Sequence, residues 1–287
     1  MGVRSYRLAA AGARRLPRST GQRFAVAAGR MVRRFDRDRR AVVEQNLRRI
    51  IGDELDEARL PALVDEVFTN YARYYHESFR LPALSVDELD AGYTQTGYHR
   101  LLDARENGHG PILALPHLGS WEWAGFWLHR VGGLNVTAVV ERLDDEEVFD
   151  WFVDLRHQLG MNIVSVGPGA GSALIEAIKR LDVVVLLCDR HVGEGSAVEV
   201  EFFGERAKLP AGPATLALRT GAPLLPTAVY TTPTGCHGIA RPAIPVEREG
   251  KFRADVQRIT QLLAYELEIM IRKAPTQWHV LQPIWPA

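Results

Sequence analysis

Residues 183–190 read VVVLLCDR. Five aliphatic residues run without a polar break and then give way to a cysteine, an acid and a base. A strand with one wet face alternates apolar and polar residues. A run such as Val183–Leu187 is apolar on both faces, the composition of a central strand covered by helices on either side. Outward from it, further strand candidates lie at 112–116, 134–140, 161–166, 198–203, 223–230 and 236–244. Helical patterns occupy 120–131, 144–160, 171–181 and 211–220, and a long helix is expected over 251–273, with Val256, Ile259, Leu263, Leu267 and Met270 on one face. This alternation predicts an α/β fold with a central, mostly parallel mixed sheet flanked by helices. No internal repeat, low-complexity stretch or linker interrupts it. The reading is one domain over 1–287, made of a helical, arginine-rich part (1–81) and an α/β core (82–287).

In open α/β sheets, sites gather at the carboxyl ends of the strands. Here those ends carry His117, Glu141-Arg142, Gly167 and Asp189-Arg190. The first belongs to the stretch 111–125, PILALPHLGSWEWAG, in which a short apolar strand stops at Pro116 and a histidine follows, with Glu122 five residues on. Ser120 is a good N-cap type for the helix that starts there. A carboxylate in the first turn can fold back onto the imidazole, fix its tautomer and leave the other ring nitrogen as an acceptor. Asp189, at the end of the buried strand, is a second candidate partner. Spacing alone leaves open which acid meets the ring. No GxSxG elbow supplies a nucleophile, so the hydroxyl that His117 activates is expected to be the substrate's own, with direct transfer and no covalent enzyme intermediate.

Other patterns bound the function. Cys188 and Cys236 form neither a disulfide framework nor a zinc spacing, and no metal is expected. A reducing, cytosolic setting fits this cysteine usage. VGPGAGS at 166–172 imitates a dinucleotide fingerprint, but Ser172 replaces its last glycine and Pro168 removes a backbone N–H. No run of 18 apolar residues is present. Formal net charge is zero, yet residues 1–50 hold 14 arginines against Asp36, Asp38 and Glu44, a net of +11, which leaves −11 for the rest. Such asymmetry points to an anionic surface. No aromatic residues interleave with the arginines as a base-stacking platform would need, so lipid is favoured and no nucleic-acid partner is expected. Residues 20–51 read as helical, with Phe24, Ala27, Met31 and Phe35 on one face flanked by Arg23, Arg30, Arg33, Arg34 and Arg37. That composition suits a helix lying in a membrane interface or a packed surface helix with snorkelling arginines. Residues 55–81 continue as helix, and Phe68, Tyr71, Tyr75 and Phe79 read as core.

HLGSWE has the HxxxxD/E form of the glycerophospholipid and lipid A acyltransferases. The chain resembles the phosphatidylinositol mannoside acyltransferases, relatives of the late lipid A acyltransferases. The resemblance runs through VVEQNLRRI (42–50), ALPHLGSWEWAG, VVERL (139–143), DLRHQLG (154–160) and CDRHV (188–192). It continues through VEVEFFGERAKLPAGPATLAL (198–218), TGAPLLP (220–226) and QWHVLQPIW (277–285). It implies a glycerolipid-acyltransferase-like fold and transfer of an acyl chain from a thioester donor, acyl-CoA, to a mannose hydroxyl of a mannosylated phosphatidylinositol. The implied setting is peripheral, at the cytoplasmic face of a bacterial cell membrane, with the anionic membrane surface met through residues 1–50. No further cofactor is implied.

His117 matches the family's histidine and Glu122 its motif acid. Asp189 stands where the mannoside branch carries a glutamate, one methylene longer. Glu141 and Arg156 match a conspicuous acid and base of that branch, expected as an ion pair. Arg190 suits donor or acceptor phosphates. Backbone N–H groups near Gly119 and Ser120 suit an oxyanion. Gly212 either opens a helix facing an anion or permits close packing. Among Trp121, Trp123, Phe126 and Trp127, at most two are expected to line an acyl pocket. Competing readings are transfer to a lysophospholipid or lipid A precursor, hydrolysis of acyl-CoA, and non-catalytic lipid or dinucleotide binding.

Overall fold

A computed structural model describes residues 2–191 and 196–285. Val192, the last residue of the CDRHV stretch, lies outside them. Four long helices come first: α1 (Val3–Arg15), α2 (Arg18–Phe35), α3 (Arg37–Ile51) and α4 (Leu60–Arg80). The short α5 (Val86–Ala91) leads into β1 (Tyr93–Thr96), α6 (His99–Glu106), β2 (Ile112–Leu115), α7 (Trp121–Arg130), β3 (Val136–Val140) and α8 (Glu146–Gln158). Then follow β4 (Met161–Ser165), α9 (Ala170–Lys179), β5 (Val183–Leu187), β6 (Ala197–Phe202), β7 (Glu205–Pro210) and α10 (Gly212–Thr220). Then come β8 (Leu224–Thr231), β9 (Cys236–Ala240) and α11 (Phe252–Lys273), followed by a tail over residues 274–285.

Seven strands form one sheet in the order β1-β9-β8-β2-β5-β3-β4. Every neighbouring pair is parallel except β8 with β9. The α/β class and the mostly parallel mixed sheet expected from the sequence are therefore observed. Strands β2 and β5 sit together at the centre. Ile112 and Ala114 of β2, with Val184 and Leu186 of β5, enter the core under α9, α10 and α11. Their alternates Leu113, Leu115, Val183 and Val185 enter the core under α7. The unbroken apolar run is thus the two-sided burial that a period of two imposes on a central strand.

Two strand expectations change. Residues 93–96 form an edge strand, β1, that the sequence reading did not contain. Residues 198–203 do not join the main sheet; β6 pairs antiparallel with β7 in a separate ribbon, Phe202 opposite Glu205. The reason lies in FFG. Phe203 (φ 52°) and Gly204 (φ 77°) both take left-handed backbone, which makes a tight two-residue hairpin turn. Glycine adopts this freely; phenylalanine pays about 1–2 kcal/mol. Phe203 is held there by its burial, by a backbone N–H donated to Glu268 Oε1 at 2.7 Å and by the Arg272 guanidinium 4.8 Å from its ring centre.

The N-terminal helices are packed onto the core. Ala10 and Ala13 of α1 lie against Phe79 of α4 and Leu155 of α8. Helix α2 lies along α4 through Gly21 and Gly29. A Cβ at Gly21 would fall 2.1 Å from His76 Nε2, and one at Gly29 would fall 2.6 Å from the Phe68 carbonyl oxygen. Phe68 and Phe79 are buried, while Tyr71 and Tyr75 are half-buried and share a hydroxyl hydrogen bond of 3.0 Å. The opposite face of α2 leaves Phe24, Met31 and Phe35 in the open, 65%, 62% and 76% exposed. Among the described residues no helix is long and apolar enough to cross a membrane.

Candidate active site

Strand β2 ends at Leu115, and the chain turns through Pro116-His117-Leu118-Gly119-Ser120 into α7. Gly119 (φ 58°) makes this turn possible, since a Cβ there would lie 2.0 Å from the Val229 carbonyl oxygen of β8. The loop is pinned from its other side by the tail. The Gly119 N–H donates to the Gln277 carbonyl at 3.2 Å, and the His279 N–H donates to the His117 carbonyl at 2.8 Å. The Gln277 side chain bonds both the N–H and the carbonyl of Thr231 at the end of β8 (2.7 and 3.0 Å). His117 therefore sits on a backbone with little freedom.

Strand β5 neighbours β2 in parallel register, Leu115 opposite Leu187, so Asp189 emerges beside His117. The carboxylate is fully buried. Its Oδ1 accepts from His117 Nδ1 at 2.5 Å. Its Oδ2 accepts from the His117 backbone N–H and from the Trp278 indole N–H, both at 2.7 Å. Burial pushes the Asp189 carboxyl upward, but the adjacent His117 charge and these donors outweigh it, and the net shift is downward. A carboxylate only accepts, so Nδ1 carries the proton in this pair, and in the neutral form of the ring Nε2 is the acceptor. The His117 side chain is 26% exposed, against 0% for Asp189.

Glu122 does not share in this contact. From the first turn of α7 it points into the protein, where its Oε1 accepts from Tyr74 of α4 at 2.9 Å and from Arg156 of α8 at 3.1 Å. The Arg156 guanidinium lies 5.1 Å from the Trp121 ring centre and 5.6 Å from that of Phe152. Burial, and then the Glu122 carboxylate, hold the Tyr74 phenol well above its ordinary pKa, so it stays a donor. The expected Glu141–Arg156 pair is also replaced. Arg190 Nη2 donates to Glu141 Oε2 at 3.0 Å, and its Nη1 donates to Gln282 at 2.9 Å. The cause is topology. Glu141 and Arg190 follow β3 and β5, which are adjacent strands, whereas Arg156 lies on α8 and faces α7. Ser120 occupies the N-cap position of α7, but its side chain makes no capping hydrogen bond. Gly212 opens α10 with open space around its Cβ position, so close packing is not why a glycine stands there.

Four residues at the site were not singled out from the sequence: Tyr74, Gln277, Trp278 and His279. The last three lie inside the QWHVLQPIW stretch, whose composition was visible but whose location was not. The His279 ring packs at a tilt against Tyr71 and Tyr74, with centroids at 5.4 and 5.0 Å. Burial first, then the nearby His117 charge, pull its pKa down to about 3. Beside α7 an apolar cavity opens between Leu113 and Leu115 of β2, Trp121 and Trp127 of α7, and Tyr93 and Tyr98. Of the four aromatic residues at 121–127, those two line it. Trp123 instead donates its indole N–H to the Leu89 carbonyl at 3.2 Å.

Comparison with known proteins places the chain in a family. The family model described as bacterial lipid A biosynthesis acyltransferase matches residues 6–286. A phosphatidylinositol mannoside acyltransferase of Mycobacterium tuberculosis (strain ATCC 25618 / H37Rv) is 36% identical over 251 residues, which cover 85% of this chain and 77% of that protein. The protein of the same description from Mycolicibacterium smegmatis is 35% identical over 249 residues, with 85% and 79% covered.

Proposed function

The chain belongs to the bacterial lipid A biosynthesis acyltransferase family, and from that premise we propose that it moves a fatty acyl group from acyl-CoA to a mannose hydroxyl of a phosphatidylinositol mannoside. The arrangement that supports the reading best is the buried Asp189 on His117 Nδ1, which leaves Nε2 as an acceptor. An incoming hydroxyl gives its proton to Nε2 as its oxygen attacks the thioester carbonyl. The tetrahedral intermediate then collapses, the C–S bond breaks, and the CoA thiolate takes the proton back from the imidazolium. Asp189 holds the ring's tautomer and stabilises its transient charge. The Gly119 N–H is engaged by Gln277, so of the two candidate oxyanion donors the Ser120 N–H is the one assigned. The lining between Trp121 and Trp127 has the apolar chemistry of an acyl-tail site, and the cavity, at about 40 Å³, must widen to admit a tail. Arg190 and Glu141 suit the polar headgroup side. The names of the relatives favour the mannoside acceptor over a lysophospholipid or a lipid A precursor.

Residues 1–50 are proposed to lie on an anionic membrane at the cytoplasmic face, through Phe24, Met31, Phe35 and the surrounding arginines. Helices α1 and α2 are built into the core, so exposed substitutions test this better than deletion. Phe24→Ser, Met31→Ser and Phe35→Ser together should weaken binding to anionic vesicles without unfolding the protein.

The catalytic reading is tested with radiolabelled acyl-CoA and purified lipid acceptors. The wild type should label the mannoside. His117→Ala should remain folded and fail to label it. Full activity in His117→Ala removes the histidine from the reaction, and thioester loss without labelled lipid turns the reading to hydrolysis.

A further inference from the structure

The end of α2, the first turn of α3 and the start of α4 enclose an open cleft lined by Arg30, Arg33, Arg34, Arg40 and Asp65. Its construction follows from the helix repeat. Gly29 and Arg33 are one turn apart on the face of α2 that meets α4. Where the glycine lets the backbones touch, the arginine continues toward Asp65. Arg33 Nε lies 3.1 Å from Asp65 Oδ1, and Arg30 Nε lies 3.2 Å from Oδ2. One carboxylate thus holds two guanidinium groups, one through each oxygen. Arg40, near its own helix partner Glu44 at 3.6 Å, and Arg34 complete the lining. The lining holds four cations and one anion, with Glu44 beside Arg40, and guanidinium forks match the oxygens of a phosphate. The cleft also borders the exposed stripe of α2, since Arg34 stands one turn beyond Met31 and one residue before Phe35.

We propose that this cleft is a discrete binding site for the phosphodiester headgroup of an anionic membrane phospholipid, with Asp65 as a positioning residue that holds Arg30 and Arg33. The inference rests on the membrane reading above and goes beyond it. A diffuse basic surface counts charges, whereas a built site depends on fork geometry and on an acid that diffuse attraction would disfavour.

The test is vesicle flotation of the full chain with phosphatidylcholine vesicles, with and without phosphatidylglycerol. Two controls, Arg7→Lys and Arg23→Lys, lie on exposed α1 and α2 positions outside the cleft. The site requires Arg34→Lys/Arg40→Lys to lose about tenfold in affinity at unchanged net charge, with the paired controls unchanged. It also requires Asp65→Asn to bind more weakly, although it makes the surface more positive. Diffuse electrostatics requires the lysine pair to bind as the wild type does and Asp65→Asn to bind more tightly; that result overturns the site and leaves the membrane reading intact. Equal wild-type binding to neutral and anionic vesicles overturns both. Displacement of the protein from vesicles by low-millimolar inorganic phosphate, with saturable phosphate binding when vesicles are absent, assigns the cleft to free phosphate and overturns the lipid assignment.

Discussion

Two buried carboxylates flank the same loop and do different work. Glu122 belongs to the HxxxxE motif and sits five residues from His117, yet it bonds Tyr74 and Arg156. Asp189 is 72 residues away from His117 and holds its ring. Both acids are almost wholly shut from water. The difference lies in what faces them. Glu122 meets a permanent cation and a phenol, which makes a strut joining α4, α7 and α8. Asp189 meets an imidazole, a group that can gain and lose a proton, which makes the pair proposed above to carry the transfer. Closeness in sequence did not decide which acid serves the histidine; strand register did.

The sharpest break of this comparison is kinetic. Asp189→Asn offers the ring an amide N–H in place of an acceptor, moves the imidazole proton to Nε2 and removes the base. Transfer should fall by about 10³-fold, within the span of general-base effects, as read by initial rates of lipid labelling. If Glu122→Gln loses as much while Asp189→Asn keeps its rate, the two roles are exchanged. Next comes stability. Glu122→Ala strands Arg156 in a buried site and should cost about 3–5 kcal/mol in urea unfolding.

Trp278→Phe deletes one donor to a buried carboxylate and should cost about 1.5–3 kcal/mol. It should also weaken the hold on His117, lowering transfer by about tenfold. A smaller effect sharpens the comparison by pH. His279 is neutral in the fold, with a pKa near 3 against 6.5 for the free side chain, so below about pH 6.5 only the unfolded chain takes the proton. Stability should then decline on acidification by about 1.4 kcal/mol per pH unit for this one group. His279→Phe should flatten that slope between pH 6 and 5. Asp189, whose pKa is lowered, adds its own loss only at pH values below the ordinary carboxylate range.

The fold was largely legible because its cues are local. Val183–Leu187 announced a two-faced strand, and the apolar face of 251–273 announced the long helix α11, observed over Phe252–Lys273. The ribbon β6–β7 was half legible: its first strand was seen, but the turn residue Phe203 carries no turn signal, and its left-handed backbone is imposed by Glu268 and by packing. At the site, His117 and Asp189 stood out as ionisable residues at strand ends. The tail did not. Trp278 reaches Asp189 across 89 residues, and Val280 is held by the buried Asn46 amide of α3 at 3.1 Å. Helix α3 and the segment after α11 thus meet, although nothing in either stretch names the other.

The sequence by itself determined the α/β layering, the histidine at the end of β2, the two acids within its possible reach and the segregation of arginines into the first helices. Hydrophobic period, turn chemistry and charge density are properties of neighbouring residues, so they are written along the chain. The tertiary structure alone decided that Asp189 serves the ring, that Arg156 goes to Glu122 and Arg190 to Glu141, and that the tail walls the loop. Those pairings depend on which strands lie side by side and on how far each side chain extends from its own element, distances that exist only once the sheet has formed.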